Sequence, residues 1–246
     1  MEIKAVKFRR DGFYTQPFVF GGEEGKEKFD KNVRYRGSLQ NYLIDTGSEV
    51  ILVDTGIPAG TPEEVPNEDS PIFTGKDICS YMDAFKALGY KPEQVTKILV
   101  THRHADHTGE LKSFPNAKIY VNQEEMDAAE LQELTNLVPV SYTDGAYYNF
   151  PESQKIADGI YLIKAKGHTK GNSIIVVEMD GLFYMIHGDI TYGMRLSTRT
   201  SCLLFLTTCL LPARRRIASA SSSATTPPFI VALTHRRAMR TWRPSA

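Results

Sequence analysis

Three of the chain's six histidines fall inside one six-residue window, His102-Arg103-His104-Ala105-Asp106-His107. Imidazole and carboxylate are the side chains that suit zinc and similar divalent ions. The window follows an apolar run, 95–100 (VTKILV), that predicts a buried strand, and it leads into a small-residue helix entry, Thr108-Gly109. Two histidines at i and i+2 on a loop leaving a strand can point one way. The Asp106-His107 pair that follows can point the other way and serve a second ion. The plain alternative is a polar loop that happens to be rich in histidine. The shortness of the window and the strand before it argue against that.

Two later positions fit the same chemistry. His168 lies in Lys166-Gly167-His168-Thr169-Lys170-Gly171-Asn172, between two predicted strands. Alone it would be an ordinary loop histidine; beside the first cluster it becomes a third ligand for one ion. Asp189 closes the apolar run 182–186 through His187-Gly188. A lone aspartate at a strand end is usually a turn or cap residue, but next to a metal cluster a carboxylate bridging two cations is the better reading.

Around these residues the pattern alternates strands with short helices. Strands are predicted at 2–8, 39–44, 50–53, 95–100, 118–121, 159–165, 173–179 and 182–186, with 39–44 and 50–53 joined as a hairpin through Asp45-Thr46-Gly47-Ser48. Helices are predicted at 78–88, stopping at Gly89, and at 123–134. Segments 18–37, 58–75 and the aromatic stretch 141–150 read as loops. The order of strands and helices suits an α/β protein, an αββα sandwich.

The 246 residues suit one large α/β domain or two small ones, and 41% hydrophobic with 24% charged residues is ordinary for a soluble globular chain. The formal net charge of zero gives no argument for nucleic acid or an anionic membrane as partner. Cys79, Cys202 and Cys209 show no metal-type spacing and leave one thiol over in any disulfide scheme, which fits a reducing compartment. The first residues, MEIKAVK, lack the apolar stretch of a signal peptide. A cytoplasmic location is the expectation.

The ordered set HxHxDH, then Gly-His-Thr, then Gly-Asp resembles the signature of the metallo-β-lactamase superfamily. Within it, the segments NYLIDTG, ILVDTGIP, THRHADHTGEL and GDITY are most similar to the N-acyl-homoserine lactone lactonases, the enzymes of quorum quenching. The resemblance covers about residues 1–193 and implies the metallo-β-lactamase fold. It implies that His102, His104 and His168 bind one ion, that Asp106 and His107 bind another, and that Asp189 bridges the two, with zinc as the expected metal. It implies further that a metal-bound hydroxide attacks the lactone carbonyl. Asp106 then passes a proton to the leaving alkoxide, and Tyr192, three residues after Asp189, contacts the carbonyl. Asp54 is expected to be a turn residue or to stand behind the ligands, not to be one.

The chain departs from that pattern at its end. From 190 to 246 there is no Asp, Glu or Lys but nine Arg, so the first 189 residues hold all 29 acidic groups and 20 basic ones. The tail, 194–246, is made largely of Ser, Thr, Leu, Arg, Ala and Pro, the residues with most codons, as out-of-frame translation would give. Back-translated with suitable codons and read two nucleotides later, 197–213 gives YENELSVVFDDLPAA, and 227–246 gives TVYCGTHTPEGYENLEAKR. Both strings resemble the end of the lactonase family, including the histidine that completes its second metal site. A frameshift after about Tyr192 is therefore expected, and His235 would then sit near the position of the lost ligand by accident. A genuine basic tail that binds acidic partners is the other explanation. The apolar run 201–213 is too short to span a bilayer as a helix.

The expected organisation is a metallo-β-lactamase-like domain at 1–193 and an aberrant basic tail at 194–246, leaving the C-terminal part of the fold incomplete or disordered. The expected activity is metal-dependent opening of a small-molecule lactone or similar ester, impaired to whatever extent the tail matters. Neither nucleic acid nor membrane is expected as a partner; the oligomeric state is open, with a dimer among the options. A thioester hydrolase of the hydroxyacylglutathione type and a true β-lactamase are the rival enzymes, and Asp189 argues against the β-lactamases that place Cys there. A non-catalytic metal-binding remnant is the rival from outside the enzymes.

Overall fold

The N-terminal strand does not stop where its alternation does. In the structure, a computed structural model that describes residues 1–20, 26–190, 230–233 and 239–242, β1 runs Glu2–Thr15. It pairs antiparallel with β2 (Arg34–Asp45), from Glu2↔Asp45 to Thr15↔Arg34. Sequence alternation was legible only over 2–8, because the register shifts twice, between Lys7 and Arg9 and between Arg9 and Gly12. A shift in register re-aims the side chains and breaks the period of two.

The chain divides into two compact units. The first comprises Glu2–Ile98, His104–Ala117 and His235–Ala246. In it, β2 turns into β3 (Val50–Val53) with Asp45 opposite Val50, as the hairpin pattern predicts. The turn is fixed by the Asp45 carboxylate accepting from the Gly47 N–H at 2.8 Å. Short strands β4 (Ile72–Phe73) and β5 (Lys76–Asp77) lie along the other side of β1, inside or beside segments read as loop. β6 (Val95–Leu99) neighbours β3. Leu43, Ile44, Ile51, Leu52, Val53, Val95 and Ile98 are fully buried, so these strands read as apolar runs because both of their faces are covered. α1 is Gln16–Phe20 and α2 is Tyr81–Lys86. The expected helix 78–88 is shorter because Ser80 caps it, its hydroxyl accepting from the Asp83 N–H at 3.1 Å. Phe85 meets Phe114 edge to face at 5.2 Å.

The second unit comprises Met1, Leu99–Arg103 and Lys118–Thr234. Its β7 (Lys118–Asn122) and β8 (Leu137–Val140) pair in parallel. β9 (Gly145–Tyr147), β10 (Phe150–Ala157), β11 (Ile160–Lys164), β12 (Ser173–Met179) and β13 (Leu182–Ile186) form an antiparallel meander. β9 and the start of β10 replace the aromatic loop expected at 141–150. One face of the meander packs Phe150, Ile163, Ile174, Val176 and Met185 together. The predicted helix 123–134 is a 3-10 turn at Gln123–Glu125 and a short α4 (Ala129–Gln132), with α3 (Ala105–Thr108) belonging to the first unit.

The tail's composition predicts no sustained strand. Two stretches of four residues each do pair: β14 (Ile230–Leu233) runs parallel to β13, and β15 (Met239–Trp242) runs antiparallel to β2. The proposed boundary at 193/194, Tyr192, 194–229 and His235 lie outside the described residues. Among the described residues, no helix is long and apolar enough to cross a membrane.

Candidate metal centre

In the second unit, the strand-end segment 99–103 is held from two sides. Val100 N–H donates to the Tyr120 carbonyl at 2.9 Å, and Ser173 N–H donates to the Thr101 carbonyl at 2.8 Å. His102 is therefore fully buried at the end of a fixed backbone, with Nδ1 3.1 Å from the Thr101 hydroxyl. His168 reaches it from the loop between β11 and β12, the two rings meeting edge to face with centroids 4.6 Å apart. Asp189 arrives from the end of β13, its carboxylate 3.8 Å from His168 Nε2. His102 has a ligand nitrogen within 4.8 Å of a His168 nitrogen and, in a separate grouping, one within 4.8 Å of an Asp189 oxygen. Residues 102, 168 and 189, far apart in sequence, thus bring two imidazoles and a carboxylate beside one another. That donor set suits zinc and ions like it.

The first unit holds the other half of the histidine window. His104 caps the short α3, its carbonyl accepting from His107 N–H at 2.9 Å. His107 is buried, with Nδ1 2.8 Å from the buried Asp54 carboxylate. A carboxylate can only accept, so Nδ1 carries the proton, and in the neutral ring Nε2 is the acceptor nitrogen. That Nε2 is 3.7 Å from the half-buried Asp106 carboxylate. Asp54 occupies the left-handed region at φ 61°, at the end of β3. The turn it begins is tied to α3 by two backbone bonds, Thr55 N–H to the His107 carbonyl at 2.7 Å and Gly109 N–H to the Gly56 carbonyl at 2.8 Å. A Cβ at Gly109 would collide with the backbone of Ile57 and Pro58, so only glycine lets the two segments approach this closely.

One functional side chain carried no signal in the sequence. Glu125 is 1% exposed. Its two oxygens accept from Gly171 N–H at 2.6 Å and Arg103 N–H at 3.0 Å. It thereby clamps the segment after His102 to the segment after His168. A Cβ at Gly171 would overlap the Glu125 side chain. In sequence, Glu125 is one of three polar residues in a row at 123–125, indistinguishable from a solvated helix face. His187, next to these ligands, is pushed down to about 4 by burial and stays neutral at ordinary pH.

The model of the metallo-β-lactamase superfamily matches residues 36–197. The chain belongs to that superfamily. N-acyl homoserine lactonase of Bacillus cereus is 28% identical over 151 residues, covering 56% of this chain and 58% of that protein. A "Probable metallo-hydrolase" of Mycobacterium tuberculosis is 23% identical over 174 residues, covering 61% and 56%. The chain thus spans less than two thirds of the length of the curated relatives it matches. Among solved structures, an N-acyl homoserine lactone hydrolase with N-hexanoyl-L-homoserine at its catalytic metal centre aligns with a TM-score of 0.58. Identity is 20%, over 77% of this chain and 76% of that one. AidC, a dizinc quorum-quenching lactonase, aligns with a TM-score of 0.52 at 16% identity, over 76% and 70%. These likenesses establish the fold, the α/β sandwich of the superfamily.

Proposed function

We propose that this chain is a metal-dependent hydrolase that opens the lactone ring of N-acyl homoserine lactones, carried by domain 1–193. The observation that supports it most is the approach of His168 to both His102 and Asp189 in the second unit. The lactonase names of the relatives and structural neighbours point to the substrate class. In this reading His102, His104 and His168 would hold one ion, Asp106 and His107 would hold a second, and Asp189 would serve both. Zinc is the metal that this donor set favours. Such ions, when bound, supply Lewis acidity and bring the pKa of water towards neutrality. The chain's own groups do the rest. Asp54 holds the His107 tautomer, Glu125 fixes the two ligand-bearing segments, Asp106 accepts and passes on a proton, and Tyr192 donates a hydrogen bond to the carbonyl oxygen.

The tail belongs to the same proposal. Its loss of every acid at one point is what a shift of reading frame after about Tyr192 would produce, and the coding DNA around that codon tests it directly. Activity is tested with an N-acyl homoserine lactone, a glutathione thioester and a cephalosporin, alongside metal content per chain. Lactone opening with bound metal supports the reading, and thioester cleavage alone would replace it with the hydroxyacylglutathione type. One ion or none, with no turnover on any of the three, would make the chain a metal-binding remnant.

A further inference from the structure

Beside the double register shift in β1 lies a recess in the first unit, a cavity of about 220 Å³ whose lining includes Lys7, Arg9, Arg10, Asp11, Arg36 and Gln40. Its chemistry is unlike that of the metal ligands. Arg9 is 2% exposed, yet its guanidinium is only partly satisfied. Nε donates to the Asp77 carboxylate at 2.7 Å and Nη1 to the Thr74 hydroxyl at 2.6 Å, while Nη2 is buried with no acceptor. A buried donor of a charged group left unmade is costly, and such atoms call for an explanation. The remaining cations lie at the exposed mouth. Arg10 and Arg36 share one carboxylate, Asp11, at 3.7 and 3.9 Å, contacts too long to occupy either guanidinium fork. Four cationic side chains against Asp11 and Asp77 leave a surplus of two positive charges.

We propose that this recess is a binding site for a phosphate group, seated on Arg9 Nη2 and closed over by Arg10, Arg36 and Lys7. A dianionic oxyanion balances the surplus charge and supplies the acceptor that Nη2 lacks. Arginine forks recognise such oxygens with paired donors. β-bulges recur where a strand must turn a side chain towards a site, and here Arg9 lies between the two register shifts and lines the recess. The site stands independently of the lactonase reading, since none of its residues is among the proposed metal ligands.

Titration calorimetry of inorganic phosphate into the metal-loaded chain, at an ionic strength fixed with chloride, measures it. One phosphate per chain is expected, with affinity falling about tenfold or more in Arg10→Gln and in Arg36→Gln. Both residues are exposed, so their replacement spares the core. His168→Ala, in the metal centre, is expected to keep the phosphate affinity. Glycerol 3-phosphate in place of phosphate separates a phosphorylated small molecule, which then binds more tightly, from the free ion, and either result supports the site. Unchanged binding in both arginine variants would overturn the proposal. So would loss of binding in His168→Ala, because the anion would then sit on the metal.

Discussion

At the scale of single residues, Asp54 and Asp106 do different work on the same imidazole. Asp54 sits at φ 61° and accepts from His107 Nδ1 at 2.8 Å in a fully buried pair. Asparagine fits that backbone and that volume, but its amide can donate to Nδ1 and so favour the tautomer that blocks Nε2. Asp54→Asn is therefore expected to weaken binding of the ion at His107 by about 10–100-fold, as losses of a ligand's supporting hydrogen bond do. Competition with a chelating dye measures this, and an unchanged affinity would leave Asp54 only a turn residue. Asp106 is half-buried and faces Nε2 at 3.7 Å. Asp106→Asn removes the group assigned to proton transfer and is expected to lower lactone turnover by about 10²-fold or more while far-ultraviolet circular dichroism stays unchanged. Normal turnover in that variant would remove Asp106 from the mechanism.

The elements explain both what the sequence disclosed and what it hid. The hairpin through 45–50 was legible because apolar runs flank a turn whose Asp45 bonds the Gly47 N–H. β12 and β13 were legible because both contain continuous apolar runs, buried over most of β12 and at the end of β13. The helix expected at 123–134 was not formed as one piece, and a side chain in its first turn is drawn away into the interior. Asn122 caps a 3-10 turn, accepting from Glu124 N–H at 3.0 Å, and Glu125 then turns inward to Gly171 and Arg103. The inward turn of Glu125 has no local signature, because its partners lie 22 and 46 residues away. The same long reach lets the clamp be tested. In Glu125→Gln the amide must present its NH₂ to one of two backbone donors, leaving a buried N–H unsatisfied at a cost of about 1–3 kcal/mol. Urea unfolding is expected to register that loss. Metal binding at His102 and His168 is expected to weaken with it, because the two ligand-bearing segments lose their common anchor. Wild-type stability and metal affinity together would show that the clamp carries nothing.

For the whole molecule, the decisive comparison is between the chain as written and a version whose tail is restored to the other frame. The body holds 29 acidic and 20 basic groups, whereas 190–246 holds nine arginines and no acid. Burying such a segment against the body is costly, because its charges bring no partners of their own. The described strands there, β14 on β13 and β15 on β2, are backbone pairings of four residues each. Backbone pairing needs no particular side chain, so these strands put no demand on the tail's sequence. The resemblance to the lactonases assigns the second ion a histidine from this region, carried by the restored string TVYCGTHTPEG. An ion with an incomplete ligand set binds weakly and is open to water. The restored chain is therefore expected to hold two ions and to open lactones at least about tenfold faster, while the chain as written holds one ion tightly. Metal analysis after dialysis and lactone-opening rates on both versions measure this difference. If the chain as written retains two ions and matches the restored chain in rate, a residue of the present tail, with His235 the first to test by substitution, must supply the missing ligand.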